Sequence, residues 1–267
     1  KFMAIQQKGS LLSGKVGGKV YSNQHGKTVV KAQSKKPHRL SLGSLKSGKD
    51  LSEASVHSKN VRLALAELVK DYGDRTLYYR LTARFYDVLR PLPKSKLGRK
   101  KIKDGDINAL LDFQFNAHCG LDALLFKRPT VLVDVPGFLD IQFSVDGAER
   151  ISGLSADLKA LLLQISLLRY DLETGASDLI SMGDLTGDRL LAAKKRLAVD
   201  LKGNVLFLVV VGIQYLRDGY RSFAQDKFAA AITHAFRFKD GKQVFFKPVL
   251  EKVVPEVKVN NQVLWDE

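Results

Sequence analysis

The chain has 267 residues, of which 45% are hydrophobic and 27% charged, and a formal net charge of +15. That balance fits one or two folded soluble domains and excludes a wholly disordered or collagen-like chain, and the length allows a sizeable core. The longest apolar run, Val205 to Ile213, is less than half a membrane span, the opening residues lack the apolar stretch of a signal peptide, and the single cysteine, Cys119, excludes an intrachain disulfide or a structural zinc cluster. The expectation is a chain with no membrane contact, in the cytoplasm or in a particle assembled there.

Residues 1–49 carry eleven Lys or Arg, seven Gly and no Asp or Glu. Such a segment makes a poor core and a good extended arm. Within it, Lys19 to Ser22 and Thr28 to Lys31 flank a short turn ending at Gly26, which predicts a small β-hairpin. Isolated hairpins are marginal in water, so Gly14, Lys15, Val16, Gly17, Gly18, Val20, Tyr21, Val29 and Val30 are expected to dock on the protein's own body or on a neighbouring subunit.

Residues 50–121 read as a helical unit. Asp50 followed by Glu53 gives a capping box, Val56, Leu63, Leu65, Leu68, Val69 and Tyr72 recur near helical spacing, and Gly73 is the stop. Asp74 then caps a helix with the stripe Leu77, Tyr78, Leu81, Phe85, Val88 and Leu89, ended by Pro91 and Pro93. A third helix is predicted from Asp106, through Ile107, Leu110, Leu111 and Gln114, to Gly120. Between the second and third lies an acid-free loop with Lys94, Lys96, Arg99, Lys100, Lys101 and Lys103, whose side chains are expected to be solvent-exposed and of little consequence for folding.

From 122 to 267 the period becomes two. Leu139 to Val145 alternates as a half-buried strand, Leu197 to Leu201 leads through Gly203-Asn204 into Val205–Leu216 as a hairpin, and Phe228–Phe238 turns at Asp240-Gly241 into Gln243–Phe246. The run Leu158 to Tyr170 satisfies strand or helix spacing, and strand is the preferred reading. Six to eight such strands predict an antiparallel sandwich. The fold class is therefore α+β: a basic hairpin arm at 1–49, a helical unit at 50–121 and a sandwich-like antiparallel β domain at 122–267.

Gly9 to Lys15 and Gly43 to Lys49 match a phosphate-loop spacing, but Val16 and Asp50 stand where Ser or Thr must hold magnesium, and no buried strand precedes either; Gly26-Lys27-Thr28 has Tyr21 where the first glycine belongs. All three read as linker. The histidines, His25, His38, His57, His118 and His234, show no metal-ligand spacing, and His234 is placed on one strand face with Phe228, Ile232, Phe236 and Phe238. Cys119 beside His118 reads as an inert buried thiol, Ser155 as a cap, and Asp178, Asp184 and Asp188 as a solvated loop. No catalytic set, cofactor, metal or small-molecule substrate is expected.

The opening Gly9-x-x-x-Ser13-Gly14-Lys15-Val16-Gly17, followed by strand, Gly26-Lys27 turn and strand, resembles the start of a family of Bacteroidota proteins with a domain of unknown function, and Val211-Gly212-Ile213-Gln214-Tyr215 is similar to a strand of that family's β-rich C-terminal part. The resemblance covers about the first 35 residues, then only the order of elements, and the Lys-rich segment 94–103 departs from it. It implies that the arm is a folded feature, and it implies no activity.

Two functions are expected from this reading. The first is a non-catalytic structural protein that self-associates into an oligomer or larger assembly through its arm. The alternative is sequence-nonspecific RNA or DNA binding, or association with a ribonucleoprotein, because clustered cations displace condensed counterions; Lys35, Lys36, Arg39, Lys94, Lys96, Arg99, Lys100, Lys101 and Lys103 are its candidate contacts.

Overall fold

Alternation in the first 33 residues produces an antiparallel meander, β1 (Ala4–Gln7), β2 (Leu11–Val16), β3 (Lys19–Gln24) and β4 (Lys27–Ala32), paired in that order. The hairpin predicted from Lys19 to Lys31 is β3 with β4, Val20 opposite Lys31 and Tyr21 opposite Val30. Two further strands extend it. Gly17 and Gly18, at φ 57° and 73°, form the tight turn from β2 to β3, a backbone that glycine adopts without strain and whose twist matches the flanking strands. The computed structural model describes residues 4–7, 11–24, 27–33, 39–125, 127–133, 137–144, 161–186, 192–217, 219–222, 224 and 226–248. The chain forms two compact units, Lys1–Leu45 and Lys46–Glu267. Residues 50–121 and 122–267 thus share the second.

The first helix, α1 (Leu42–Ala64), starts eight residues before Asp50. Ser41 Oγ accepts a hydrogen bond from Ser44 N at 3.1 Å and supplies the cap, which leaves Asp50 buried in mid-helix. α2 (Ala66–Tyr72) stops at Gly73, and α3 (Leu77–Leu89) buries Leu77, Leu81, Phe85, Val88 and Leu89 and ends before Pro91. Asp74 opens α3 not as a regular cap: its Oδ1 accepts from Thr76 N and Oγ1. A short α4 (Leu121–Leu124) closes the helical segment.

The strands that follow are β5 (Thr130–Leu132), β6 (Phe138–Ser144), β7 (Leu161–Asp171), β8 (Ser177–Leu185), β9 (Ala192–Ala198), β10 (Asn204–Arg217), β11 (Tyr220–Arg221), β12 (Phe228–Lys239) and β13 (Lys242–Gln243). They build two antiparallel sheets, one ordered β13-β12-β10-β7-β8 with β11 added to β10, the other β5-β6-β9. The fold is α+β. Leu206, Leu208 and Val210 of β10 share a core with Leu81, Phe85 and Val88 of α3, whereas Val205, Phe207, Val209, Val211 and Ile213 share one with Leu139, Ile141 and Phe143 of β6. The helices α1 to α3 therefore cover one face of the large sheet, and the small sheet together with α4 covers the other. A strand buried on both faces reads as a continuous apolar run, and β10 does.

Four sequence expectations change. The third helix is absent: Ile107–Leu110 is one 3-10 turn capped by Asp106, after which Asp112 N and Phe115 N donate to Ile232 O and Ala230 O of β12 while Phe113 O accepts from Ile232 N. Phe113 and Phe115 alternate about Gln114, and bonding along β12 buries both rings. The hairpin through Gly203-Asn204 does not form, because β9 pairs with β6 while both edges of β10 are occupied by β7 and β12. A bulge that leaves Thr233 unpaired turns His234 to the face of Phe236 and Phe238, away from Phe228 and Ile232. Asp178 and Asp184 lie on β8, not in a loop; Asp188 and Ser155 fall outside the described residues. The turn at Asp240-Gly241 (φ 49° and 83°) joins β12 to β13 as predicted. Among the described residues no helix is long and apolar enough to cross a membrane.

Gly212 lies on the helix-facing side of β10, where a Cβ would sit 2.9 Å from Tyr72 ring carbons. Gly212→Ala should therefore cost about 1–3 kcal/mol by overpacking, read as a lowered midpoint in urea with unchanged slope.

Candidate functional site

In the N-terminal sheet the register sorts the side chains. Gly14, Tyr21 and Val30 form one cross-strand row and Val16, Lys19 and Ala32 the next on the same face; Lys15, Val20 and Lys31 form a row on the opposite face, with Val29 opposite Ser22 beside it. One face thus carries Val16, Tyr21, Val30 and Ala32 with Lys19, Asn23 and Thr28, and the other carries Lys15, Lys27 and Lys31 with Val20 and Val29. No described side chain of this sheet is buried, and Val16 and Val30 are 45% and 49% exposed. Arg39 is exposed, while Lys35 and Lys36 lie outside the described residues.

The basic loop is a pinned element, which corrects the expectation that it matters little for folding. Asp50 accepts hydrogen bonds from Gly98 N (3.0 Å) and Lys100 N (3.2 Å), one on each carboxylate oxygen. Gly98, at φ 83°, packs so close to α1 that a Cβ would lie 2.9 Å from Lys46 Cβ. Ile102 is fully buried. The loop cations divide accordingly: Lys100 Nζ donates to Leu89 O at the α3 C-terminus, Lys101 pairs with Glu53 (2.8 Å), Lys103 with Glu173 (3.0 Å) and Lys96 with Asp104 (3.6 Å). Lys94 and Arg99 are exposed and make no ion pair among the described residues, and the same holds for Lys46 and Lys49 of α1. The structure thereby brings the end of the first acid-free segment beside the second.

One turn further along α1 is a polar cleft of about 440 Å³, unanticipated by the sequence reading, lined by Glu53, His57, Asn60, Lys101, Tyr170 and Glu173 among others. His57 Nδ1 lies 2.8 Å from Tyr170 Oη, Asn60 Nδ2 donates to the same oxygen at 3.2 Å, and His57 Nε2 is 3.4 Å from Glu53 Oε1. With Nε2–H facing the Glu53 carboxylate, Nδ1 is left to accept from the phenol, so the chain of bonds runs from Tyr170 through His57 to Glu53. Tyr170 has no exposed surface, and the cluster chiefly fastens α1 to β7. The signal in the sequence was Glu53, His57 and Asn60 at i, i+4 and i+7 on one helical face.

The remaining candidates fall apart in three dimensions. Gly43 to Lys49 lies in α1, and Leu11 to Lys15 lies in β2 and leads to a glycine turn and β3, so neither opens a phosphate-binding helix. Cys119 is buried, which raises its thiol pKa, and its Sγ faces the carbonyls of Gly120 and Asp226. No group of three His, Cys, Asp or Glu able to hold a metal occurs among the described residues. No family model matches the chain, and no curated protein or solved structure matches it significantly.

Burial pushes the His57 imidazole below its ordinary pKa, Glu53 opposes this and Lys101 adds to it. A lowered folded-state pKa means that the neutral ring's contribution to stability is complete above the ordinary value, near pH 6.5, and is lost as pH falls through the folded value. The melting temperature should therefore decline on acidification below about pH 6.5, and more steeply in wild type than in His57→Gln. Burial of His234 shifts it the same way, so the variant keeps a residual slope. Equal slopes in the two proteins would show that His57 titrates alike folded and unfolded.

Proposed function

We propose that this is a non-catalytic assembly protein whose N-terminal sheet docks on the same sheet of a second copy. The observation that carries this reading is the four-stranded sheet in which no described side chain is buried, since a sheet normally covers one apolar face. Charge sorting supports a face-to-face arrangement: apposing the Val16, Tyr21, Val30 and Ala32 sides leaves Lys15, Lys27 and Lys31 in solvent. Lys19, the one cation on the apolar side, lies in the row next to the Gly17-Gly18 turn, from which a long side chain reaches water. Such a contact is self-complementary and closes as a two-fold dimer. On this reading the protein acts in the cytoplasm or in a particle assembled there, with no membrane, cofactor or small-molecule substrate.

The test is light scattering of nuclease-treated full-length protein. Wild type should run as a dimer or larger species, and Val16→Glu combined with Val30→Glu should shift it to the monomer with an unchanged circular dichroism spectrum. A wild-type monomer at micromolar concentration would sink the reading.

A second reading, sequence-nonspecific binding of RNA or DNA, is favoured by the Asp50 contact that carries the 94–103 loop to the lysines of α1. Basic residues are the source of such binding, and the thin aromatic content of the arm argues against base recognition.

A further inference from the structure

We infer that Asp50, an acidic residue, is the positioning residue of a single phosphate-binding surface made from Lys46 and Lys49 of α1 together with Lys94 and Arg99 of the loop. The inference rests on the nucleic-acid reading and deepens it by naming the surface, its partner class and the residue that builds it. In the sequence these cations belong to two acid-free clusters separated by more than forty residues. In the fold the two clusters come together where Gly98 packs on α1. That residue lies against Lys46, and the Asp50 carboxylate, 1% exposed, holds the backbone N–H groups on either side of Arg99. Both carboxylate oxygens are used, so the loop is fixed in register along α1 by two charge-assisted hydrogen bonds. Gly98 contributes the left-handed backbone, at φ 83°, that the close approach requires.

The pairing pattern selects the residues. Lys96, Lys101 and Lys103 face Asp104, Glu53 and Glu173, and Lys100 is directed at the Leu89 carbonyl. Three of these cations therefore face an acid and the fourth a helix C-terminal carbonyl. Lys46, Lys49, Lys94 and Arg99 are exposed, without an acidic partner among the described residues, and are the ones able to release counterions from a polyanion. The partner is a nucleic-acid backbone, for a geometric reason. Phosphates along a strand have fixed spacing, so holding two cation pairs in register raises affinity, whereas lipid headgroups diffuse to meet any arrangement of cations and gain nothing from a clamp.

The clamp makes a counterintuitive prediction. Asp50→Asn removes a negative charge from a basic surface, which by charge alone should tighten polyanion binding. If Asp50 positions the loop, the variant should bind more weakly, because an Asn side chain offers one acceptor oxygen and turns its NH2 toward a backbone N–H.

Binding of full-length protein to a fluorescein-labelled oligouridylate is followed by anisotropy across a salt series. Lys94→Gln with Arg99→Gln should reduce the slope of log K against log salt by about 1.4, and Lys46→Gln with Lys49→Gln by a similar amount, at ~0.7 per single-strand phosphate contact. Lys96→Gln with Lys103→Gln should leave the slope unchanged. Asp50→Asn should flatten it as the loop pair does, and adding the loop pair to Asp50→Asn should do little more. Tighter binding by Asp50→Asn, or full additivity, overturns the inference while leaving the nucleic-acid reading standing. A wild type that binds neither this probe nor a DNA duplex defeats the reading itself, and binding confined to phosphatidylserine vesicles overturns the choice of partner. Should Asp50→Asn fail to fold, stoichiometry decides: one site per chain weakened by both cation pairs supports a single surface, and two independent sites, each abolished by one pair, overturn it.

Discussion

The segment Val205 to Ile213 carries no polar side chain and has no solvent-exposed face, and the second unit is organised by what that demands. Its peptide groups are satisfied by β7 on one edge and β12 on the other, and its side chains require a layer on each side of the sheet. The helices α1 to α3 supply one layer, and β5-β6-β9 with α4 the other. At roughly 1.5–3 kcal/mol for each fully buried Val, Leu, Ile or Phe, this strand draws more driving force from burial than any local propensity provides. Gly212 interrupts the series where Tyr72 crosses the sheet, and the Tyr72 hydroxyl then donates to Gln164 Oε1 on β7, so that α2 is placed by one close contact and one hydrogen bond.

Apolar packing fixes which face of a helix points inward but leaves sliding along the axis weakly determined. Polar contacts at the border of the core set that coordinate. On α1, Asp50 takes the two loop amides, His57 and Asn60 meet the Tyr170 hydroxyl, and Ser58 bonds to Thr82 of α3. On α3, Arg80 reaches the Asp74 carboxylate and the carbonyls of Gln114 and Phe115, tying the helix to the segment bound along β12. Each of these groups would be costly to bury unpaired, so mis-registered packings of the same apolar faces are penalised.

Local signals were legible where one local interaction decided the outcome. Leu139, Ile141 and Phe143 alternate because one face of β6 is buried, the stripe of α3 is a single helical face, and Asp240-Gly241 adopts positive φ at both positions whatever lies beyond it. Legibility failed where a distant partner decided. Phe113 and Phe115 satisfy a strand only once β12 is beside them, the strand before Gly203 belongs to another sheet because β10 has no free edge, and Thr233 moves His234 across the sheet by a bulge that no composition rule marks. Asp50 shows the same logic for the site. An acid three residues before Glu53 matches a capping box, and only the chain 48 residues later reveals that its carboxylate is spent on the loop.

Charge is the property for which sequence clustering and structural availability diverge most. Six cations crowd residues 94–103, yet four of them meet acids or a helix C-terminal carbonyl that the chain brings from α1, α3, the turn after β7 or the loop itself. Lys94 and Arg99 remain, and Arg99 lies between the two amides that the buried Asp50 carboxylate holds. An exposed lysine paired to an exposed glutamate contributes little to stability, so these pairs are not what anchors the loop; the anchors are Ile102, Gly98 and Asp50. The pairs instead lower the field of the loop and leave its residual charge at Lys94 and Arg99, on either side of the paired Lys96. A segment that looks uniformly cationic in sequence is in the fold partly paired with acids, and its backbone at Gly98 and Lys100 is held by an aspartate.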